Sequence, residues 1–479
     1  MLCENFAYPS LLRFFEEISA IPRPSYHEQG IADYLVDFAR SRGLSVYRDG
    51  LNNVLINMPA TEGREETPAV LLQGHTDMVC EKNEGCEHDF LRDRLKLYEK
   101  DGWIRAEGTT LGADNGVAVA VMLAILDGAC ESHGPIQCLF TASEEVGLDG
   151  ASGFDYSLIY AERMLNMDSA DESLIIAGCA GGLRSTVTLP VTRENMVGQT
   201  VKIRIGGLAG GHSGEDIHRG RANANKLMGR VLDRIFTSLY DARLISVCGG
   251  TKENAIPREA TAFIRVANYD TVAALCDEMR GVISSELCID DRSFFLTSQV
   301  LECDMSPMTK DCGDKVVFLM FTVGNGVFEM NRSLPDVVEY SRNLGIVNTE
   351  VDHVCFTLNS RSAQESRLDC SVSEIDAYAR ILGGVSNHYN RYPGWEYSED
   401  SAIRGDYTRA YRALYGHKPS VEVIHAGLEC GIIKKFLPNM DMISCGPVIL
   451  NLHSPDEALK IDSFESFFAV VCKVVADMK

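Results

Sequence analysis

The sequence has no apolar run long enough to cross a membrane, and it has little positive charge. Its longest apolar stretches, such as residues 117–126, are far shorter than the ~18 residues that a transmembrane helix needs. The chain carries 45 Lys and Arg against 68 Asp and Glu, a formal net charge of −23. Nucleic acids and anionic membranes bind clustered Lys and Arg, so we expect neither as a partner.

The Cys-x-x-Cys pair is also absent, although the chain has 16 cysteines. This absence excludes zinc-ribbon and thioredoxin motifs, and free, buried thiols are typical of a reducing compartment. The opening segment MLCEN contains an acid and no basic stretch that leads into an apolar core, so we expect no signal peptide. We therefore expect a soluble, cytoplasmic protein.

The composition is that of an ordinary globular protein. Hydrophobic residues make up 45% of the chain and charged residues 24%, which excludes a disordered chain and a disulfide-stapled miniprotein. At roughly 150 residues per domain, the length of 479 residues allows two or three domains.

The first part of the chain alternates between helix and strand patterns. An amphipathic helix is predicted over 28–43 and a buried helix over 115–128. Short apolar strands are predicted over 69–73, 136–141 and 164–168. Strands that alternate with helices indicate crossover units, so we predict a largely parallel sheet.

The pattern changes around residues 189–201, where a proline and a polar stretch indicate a boundary. The middle region then mixes strands with a long helix, which predicts an α+β insert. The chain leaves this region near residues 392–394, resumes short apolar strands, and closes with an amphipathic helix over 463–478.

Several polar residues stand where a predicted strand has just ended or a buried helix begins. Open α/β sheets bind their ligands at the carboxyl ends of their strands. The residues are two histidines and five carboxylates: His75, Asp77, Asp114, Glu144, Glu145, Asp168 and His453. Each has an ordinary alternative when taken alone, since Asp114 could cap a helix and Asp168 a turn.

Their convergence on one sheet edge favours a functional site over these alternatives. Two imidazoles and three carboxylates without matching Lys or Arg repel one another unless a cation is present. Mixed nitrogen and oxygen ligands suit Zn²⁺, with Mn²⁺ or Co²⁺ as substitutes. One carboxylate could bridge two ions about 3.5–4 Å apart. The residues alone therefore point to a hydrolytic metal site.

The same residues lie in motifs that resemble the bacterial aminoacyl-histidine dipeptidases, the carnosine-splitting branch of the di-zinc aminoacylase/carboxypeptidase family. The resemblance runs from about residue 10 to the C-terminus, and its strength lies in the number of motifs in register. In chain order they are LLQGHTDMVCEKN, GTTLGADNGVAVA, LFTASEEVGLDGA, LNMDSADES, GGLAGGHSGEDIH, KENAIPRE, NSRS, HAGLECG and LHSPDE.

The resemblance implies a role for each residue of the cluster. His75 and Asp168 would hold one zinc ion, Glu145 and His453 the other, and Asp114 would bridge both. Asp77 would orient the His75 imidazole. Glu144 would be the general base that activates water and then protonates the leaving amine.

The resemblance also implies that the insert supplies three further residues. His212 would reach the oxyanion of the reaction, although a histidine beside flexible glycines is otherwise an ordinary loop residue. Asn254 and Arg361 would bind the terminal carboxylate of a dipeptide. The chain departs from the family pattern at Leu452, where proline is expected, and at residues 142–143. These departures bear on substrate preference more than on catalysis.

We therefore predict an α/β protein with a split catalytic domain, residues 1–186 and 397–479, a mainly parallel central sheet, and an inserted α+β lid domain, residues 187–396. The expected activity is zinc-dependent hydrolysis of Xaa-His dipeptides such as β-alanyl-histidine. The alternatives are a broader di- or tripeptidase, an N-acyl amino acid deacylase, or a non-catalytic metal- or peptide-binding relative. The sequence leaves open whether the protein is a monomer or a homodimer.

Overall fold

The computed structural model describes residues 6–302 and 305–479. The opening segment on which we based the absence of a signal peptide lies outside these described residues. Within them, no helix combines the length and the apolar character that a bilayer crossing requires.

The α-helices of the described residues, in chain order, are α1 (Pro9–Ser19), α2 (Gln29–Ser41), α3 (Ala113–Ala124), α4 (Asp149–Gly153), α5 (Ala224–Ser238), α6 (Tyr269–Glu286), α7 (Lys310–Thr322), α8 (Glu365–Leu382), α9 (Ala402–Tyr415), α10 (Glu429–Phe436) and α11 (Ile461–Asp477).

The strands are β1 (Ser45–Arg48), β2 (Val54–Met58), β3 (Val70–His75), β4 (Leu97–Lys100), β5 (Trp103–Ala106), β6 (Ile136–Thr141), β7 (Arg163–Asn166), β8 (Leu174–Cys179), β9 (Gly181–Pro190), β10 (Gln199–Gly206), β11 (Gly211–His212), β12 (Arg243–Gly249), β13 (Ala255–Ile256), β14 (Ala260–Val266), β15 (Phe295–Leu301), β16 (Gly326–Met330), β17 (Val338–Thr349), β18 (His353–Ser362), β19 (Val385–Tyr392), β20 (Ser420–Ile424), β21 (Asp441–Ser444), β22 (Ile449–Leu450) and β23 (Ala458–Lys460).

The chain divides into two compact units. The first consists of the residues up to Cys179 together with Trp395–Val423 and Leu428–Lys479, and the second of Ala180–Gly394 together with Ile424–Gly427. The domain boundary that we drew after residue 186 falls inside β9. The short segment Ile424–Gly427, which we had placed with the second catalytic part, groups with the second unit.

The first unit is built on an eight-stranded sheet in the order β1-β2-β6-β3-β7-β21-β8-β20. The central strands β6, β3, β7 and β21 pair in parallel, as crossover units require. The pairs β1–β2, β2–β6 and β21–β8 at its flanks are antiparallel. The parallel character that we predicted therefore belongs to the centre of the sheet.

Helix α3 lies in the middle of the first unit's core. Its residues from Val117 to Ala124 are all buried, and it contacts α1 and β3. A helix that is apolar on every face has no surface to give to solvent, so it packs between other elements. This placement fixes the start of α3, where Asp114 lies, beside the end of β3.

The second unit is built on a nine-stranded sheet in the order β15-β10-β14-β12-β17-β18-β9-β19, with β16 paired to β17. Its strands pair in antiparallel fashion, as in β17 with β18 and β18 with β9. The core of this unit includes the apolar faces of α5 and of β10 and β14. The two-stranded pair β11–β13 belongs to the same unit.

Candidate functional site

The first unit brings the cluster predicted from the sequence to one edge of its sheet. β3 ends at His75, β6 ends shortly before Glu144 and Glu145, and β7 ends two residues before Asp168. Because these three strands are parallel neighbours, their carboxyl ends lie at the same edge. Asp114 in α3 and the distant His453 reach this edge from other parts of the chain.

Asp114 lies between the two histidines. Its Oδ1 is 3.0 Å from Nε2 of His75, and its Oδ2 is 3.2 Å from Nε2 of His453. The two carboxylate oxygens thus face different imidazoles. A carboxylate in this position can serve as a ligand shared by two cations.

The remaining carboxylates complete one group around each histidine. Oδ1 of Asp168 is 3.6 Å from Nε2 of His75, and Oε1 of Glu145 is 3.2 Å from Nε2 of His453. The ligand atoms of His75, Asp114 and Asp168 all lie within 4.8 Å of one another, as do those of Asp114, Glu145 and His453. Glu144 belongs to a third such group, with His75 and Glu145.

Asp77 joins the His75 loop to the glutamate loop. Its Oδ1 is 3.3 Å from Nδ1 of His75. The backbone N–H groups of Glu144 and Glu145 donate to its two carboxylate oxygens at 3.0 and 3.2 Å, and the Ser25 hydroxyl donates at 2.7 Å. Asp77 is fully buried and faces Nδ1 of His75 while Asp114 faces Nε2, a position from which we expect it to orient the ring.

The carboxylates act strongly on the two imidazoles. Burial alone would lower the pKa of His75, but the hydrogen bonds with Asp114, Asp168 and Asp77 outweigh it and raise that pKa well above its usual value. Hydrogen bonds with Asp114 and Glu145 raise the pKa of His453 to about 10. Both rings therefore bind a proton more tightly than a free imidazole does.

The pKa of one acid in the cluster is lowered, and the pKa values of two others are raised. Burial would raise the pKa of Asp114, but hydrogen bonds with His453 and His75 lower it below its usual range. Burial raises the pKa of Glu144 well above the usual value, and the neighbouring carboxylates of Asp168 and Glu145 add to this effect. Burial likewise raises the pKa of Asp168.

This donor set fits divalent cations. Two imidazole nitrogens and three carboxylates converge, and the carboxylates strengthen the binding of a proton by each histidine. A divalent cation would take the place of those protons, since metal binding to histidine displaces them. His75, Asp114 and Asp168 fit one ion, and Asp114, Glu145 and His453 a second.

The second unit brings together the three residues that we predicted there: His212, Asn254 and Arg361. β11, which carries His212, pairs with β13, the strand that follows Asn254. The Ser213 N–H donates to the backbone carbonyl of Asn254 at 2.8 Å. Nη2 of Arg361, on β18, is 3.5 Å from Nε2 of His212.

Arg361 is nearly buried, with 6% of its surface exposed. Its Nη1 donates to the Tyr392 hydroxyl at 3.0 Å, and its buried Nε has no hydrogen-bond partner. Among the ion pairs of the described residues, none includes Arg361. A buried guanidinium without a carboxylate is a suitable partner for an anionic group.

His425 is a member of this group to which sequence reasoning gave no role. Its Nε2 is 2.7 Å from the Ser341 hydroxyl. Burial, followed by the positive charges of Arg361, His218 and His212, lowers the pKa of His425 to about 3. Burial and Arg361 also lower the pKa of His212. The signal in the sequence was the place of His425 within HAGLECG, one of the quoted motifs.

Comparison with known proteins agrees with these observations. Residues 71–477 match the model of peptidase family M20/M25/M40. The cytosol non-specific dipeptidase of Escherichia coli (strain K12) is 38% identical over 468 residues, which cover 97% of this chain and 96% of that protein.

Solved structures show the same likeness. The crystal structure of aminoacylhistidine dipeptidase from Vibrio alginolyticus superposes with a TM-score of 0.94 at 38% identity, covering 99% of this chain and 98% of that one. A tripeptidase structure from Staphylococcus aureus shares the fold, with a TM-score of 0.57 at 18% identity and 98% of each chain covered.

The chain therefore belongs to peptidase family M20/M25/M40. It is an enzyme that hydrolyses peptide bonds. The family resemblance that the motifs indicated and the predicted mixed α/β fold are both confirmed.

Proposed function

We propose that this protein is a cytoplasmic dipeptidase with two zinc ions per chain, for which Mn²⁺ or Co²⁺ can substitute. His75 and Asp168 would hold one ion, Glu145 and His453 the other, and Asp114 would be their shared ligand. The observation that carries the proposal is the position of Asp114, whose two oxygens lie 3.0 and 3.2 Å from the two imidazoles.

Two cations at this cluster would lower the pKa of a water and polarise the peptide carbonyl. The two ligand groups around Asp114 leave out Asp77 and Glu144, and Asp77 already accepts hydrogen bonds from the glutamate loop and from Ser25. Glu144 is therefore our candidate for the base. It would take a proton from water as the water oxygen bonds to the carbonyl carbon. When the C–N bond breaks, Glu144 would give that proton to the leaving nitrogen, so that the residue ends as it began.

Three residues of the second unit would bind the substrate. His212 would donate a hydrogen bond to the oxyanion that forms at the carbonyl. Arg361 and Asn254 would bind the terminal carboxylate of the peptide. The buried guanidinium of Arg361 supports this assignment, because no carboxylate of the described residues pairs with it.

Xaa-His dipeptides such as β-alanyl-histidine are the substrates that we propose first. The likeness to the Vibrio alginolyticus aminoacylhistidine dipeptidase supports this preference. The Escherichia coli relative is named a non-specific dipeptidase at the same identity, and it favours a broader dipeptidase as the second candidate. A tripeptidase or an N-acyl amino acid deacylase is a further possibility within the family.

The substitution Glu144→Gln tests the proposed base. We expect hydrolysis to fall by roughly 10²–10⁴-fold, because the amide cannot accept the proton of water. Elemental analysis should find the metal content of the wild type, because Glu144 is not a proposed ligand. Unchanged turnover would refute this role.

The adjacent glutamate provides the matched control. Glu145→Gln removes a proposed ligand, so this variant should lose metal as well as activity. If both variants lost metal equally, the assignment of Glu144 as the base and Glu145 as a metal ligand would be wrong. If both bound metal and remained active, the cluster would not be the catalytic site.

A substrate panel separates the candidate specificities. Purified protein would be assayed on β-alanyl-histidine, on dipeptides without histidine, on tripeptides and on N-acyl amino acids. Preference for Xaa-His is expected. Equal rates on other dipeptides would establish the broader dipeptidase, and equal rates on tripeptides would overturn the dipeptidase assignment. A chain that bound metal but hydrolysed none of them would be a non-catalytic relative.

A further inference from the structure

Two buried charged residues lie behind the metal cluster of the first unit and are not among the proposed ligands. Arg23, which follows α1, is 1% exposed, and Glu457, which precedes β23, is 2% exposed. Burying a charge is costly unless its hydrogen bonds are satisfied. The hydrogen-bond partners of Arg23 and Glu457 therefore indicate the role of each charge.

Glu457 accepts hydrogen bonds from the backbone of the loop that leads to Asp114. The N–H groups of Leu111 and Gly112 donate to its Oε2 at 2.8 and 2.9 Å. The N–H of Asp114 itself donates to its Oε1 at 3.2 Å. One carboxylate thus holds both ends of this short loop, and it does so four residues after the proposed ligand His453.

Arg23 holds the same loop from its carbonyl side and joins it to the loop after β3. Its Nη2 donates to the carbonyl of Gly112 at 2.6 Å. Its Nη1 donates to the carbonyls of Thr76 and Asp77 at 2.9 and 3.1 Å. The guanidinium fork therefore connects the segment that carries His75 to the segment that carries Asp114.

The fit around Gly112 is close. This residue has a φ of +66°, a conformation that glycine adopts readily. A Cβ added there would lie 2.5 Å from Nη2 of Arg23. A side chain at position 112 would therefore collide with the Arg23 guanidinium, and the hydrogen bond to the Gly112 carbonyl depends on glycine at this position.

We propose that Arg23 and Glu457 are positioning residues for the metal ligands: together they hold the backbone of the His75 and Asp114 loops so that the Asp114 carboxylate meets both histidines. This inference rests on the proposed metal site. Removing a residue that supports a metal ligand typically weakens metal binding by roughly 10- to 100-fold. Because Asp114 is the shared ligand, the binding of both ions should weaken.

The test compares metal affinity in the full-length wild type and in Glu457→Gln. The glutamine keeps the size of the side chain but replaces an acceptor oxygen with a donor, so at least one backbone N–H loses its partner. Apoprotein would be titrated with Zn²⁺ against a competing chelator, and the unfolding of each apoprotein would be measured separately. We expect Zn²⁺ to bind roughly 10- to 100-fold more weakly in the variant.

Asp441→Asn serves as the matched control in the same unit. Asp441 also accepts from a backbone N–H, that of Ile403, at 2.9 Å, and from the Ser401 hydroxyl at 2.6 Å. These contacts hold the start of α9 and not a ligand loop. This substitution should lower thermal stability while leaving Zn²⁺ affinity unchanged.

Arg23→Lys gives a second route if Glu457→Gln does not fold. Lysine keeps the charge but cannot span both loops with one planar fork, so Zn²⁺ affinity should again fall. A variant with lower stability but wild-type Zn²⁺ affinity would overturn the inference, because its role would be structural only. A wild type that bound no Zn²⁺ would overturn the proposed metal site itself.

Discussion

The two units shift the pKa of their histidines in opposite directions. In the first unit, hydrogen bonds with carboxylates raise the pKa of His75 and of His453. In the second unit, burial and the charge of Arg361 lower the pKa of His212 and of His425. The same side chain thus has a raised pKa in one cluster and a lowered pKa in the other.

The difference shows what each cluster lacks. The first has three carboxylates around two imidazoles whose pKa they raise, a donor set that suits cations. The second has a buried guanidinium for which the described residues provide no carboxylate, an arrangement that suits an anion. The net charge of −23 describes neither cluster. Immediate neighbours, not overall composition, set the pKa shifts of the histidines in each cluster.

The largest effect should come from breaking the first cluster at its centre. Asp114→Asn removes the negative charge that faces both imidazoles. We expect both ions to be lost and hydrolysis to fall by about 10³-fold or more, since several kcal/mol of transition-state stabilisation go with them. Elemental analysis and an assay on β-alanyl-histidine measure the two effects. Wild-type metal content in this variant would exclude Asp114 as the shared ligand.

A smaller effect should come from breaking the second cluster. Arg361→Met keeps much of the side-chain volume but removes the charge, so kcat/KM for dipeptides should fall at least about 30-fold. The metal content should not change, because Arg361 is not a proposed ligand. Steady-state kinetics on a dipeptide and on its C-terminal amide would show the loss only for the free carboxylate.

Arg391→Met is the control for this variant. Arg391 pairs with Glu365 and Asp369 on the surface of the same unit, so its removal should leave kcat/KM unchanged. Equal losses in the two arginine variants, or equal losses on the dipeptide and on its amide, would contradict the role of Arg361 in binding the carboxylate.

The smallest effect concerns the pH dependence of stability. The folded-state pKa of His425 is about 3, below the ~6.5 of an unfolded chain. The unfolded state therefore takes up the proton first, and this stabilisation is complete above pH ~6.5 and is lost as the pH falls towards 3. One such group changes the free energy of unfolding by at most about 1.4 kcal/mol per pH unit.

His425→Gln should reduce this dependence, because glutamine does not titrate. Denaturant unfolding at pH 5 and pH 7 would measure the difference, and the variant should lose less stability on acidification than the wild type. His353→Gln, at a surface position beside Asp352, is the control and should keep the wild-type dependence. An unchanged dependence in His425→Gln would contradict the lowered pKa of His425.

Much of the first cluster could be predicted because its residues follow regular elements. The strand predicted at 136–141 coincides with β6. His75, Glu144, Glu145 and Asp168 stand just beyond apolar strands, and the ends of parallel strands must meet at one edge. A short apolar segment followed by a polar residue can be recognised from the sequence alone.

Other parts could not be predicted because they depend on contacts between distant residues. Arg23 and Glu457 hold backbone groups, and nothing in a sequence distinguishes a charged residue buried for that purpose from one on the surface. The antiparallel flanks of the first sheet depend on strand pairing, which periodicity does not specify. Likewise, His425 joins His212 and Arg361 only because Ile424–Gly427 groups with the second unit.

The most direct test of the account is the metal content of the wild-type protein together with its activity before and after chelation. We expect two equivalents of zinc, or of a substituting divalent cation, per chain. Chelation should abolish dipeptide hydrolysis, and added Zn²⁺ should restore it. Metal-free protein that hydrolysed dipeptides at the untreated rate would contradict the account.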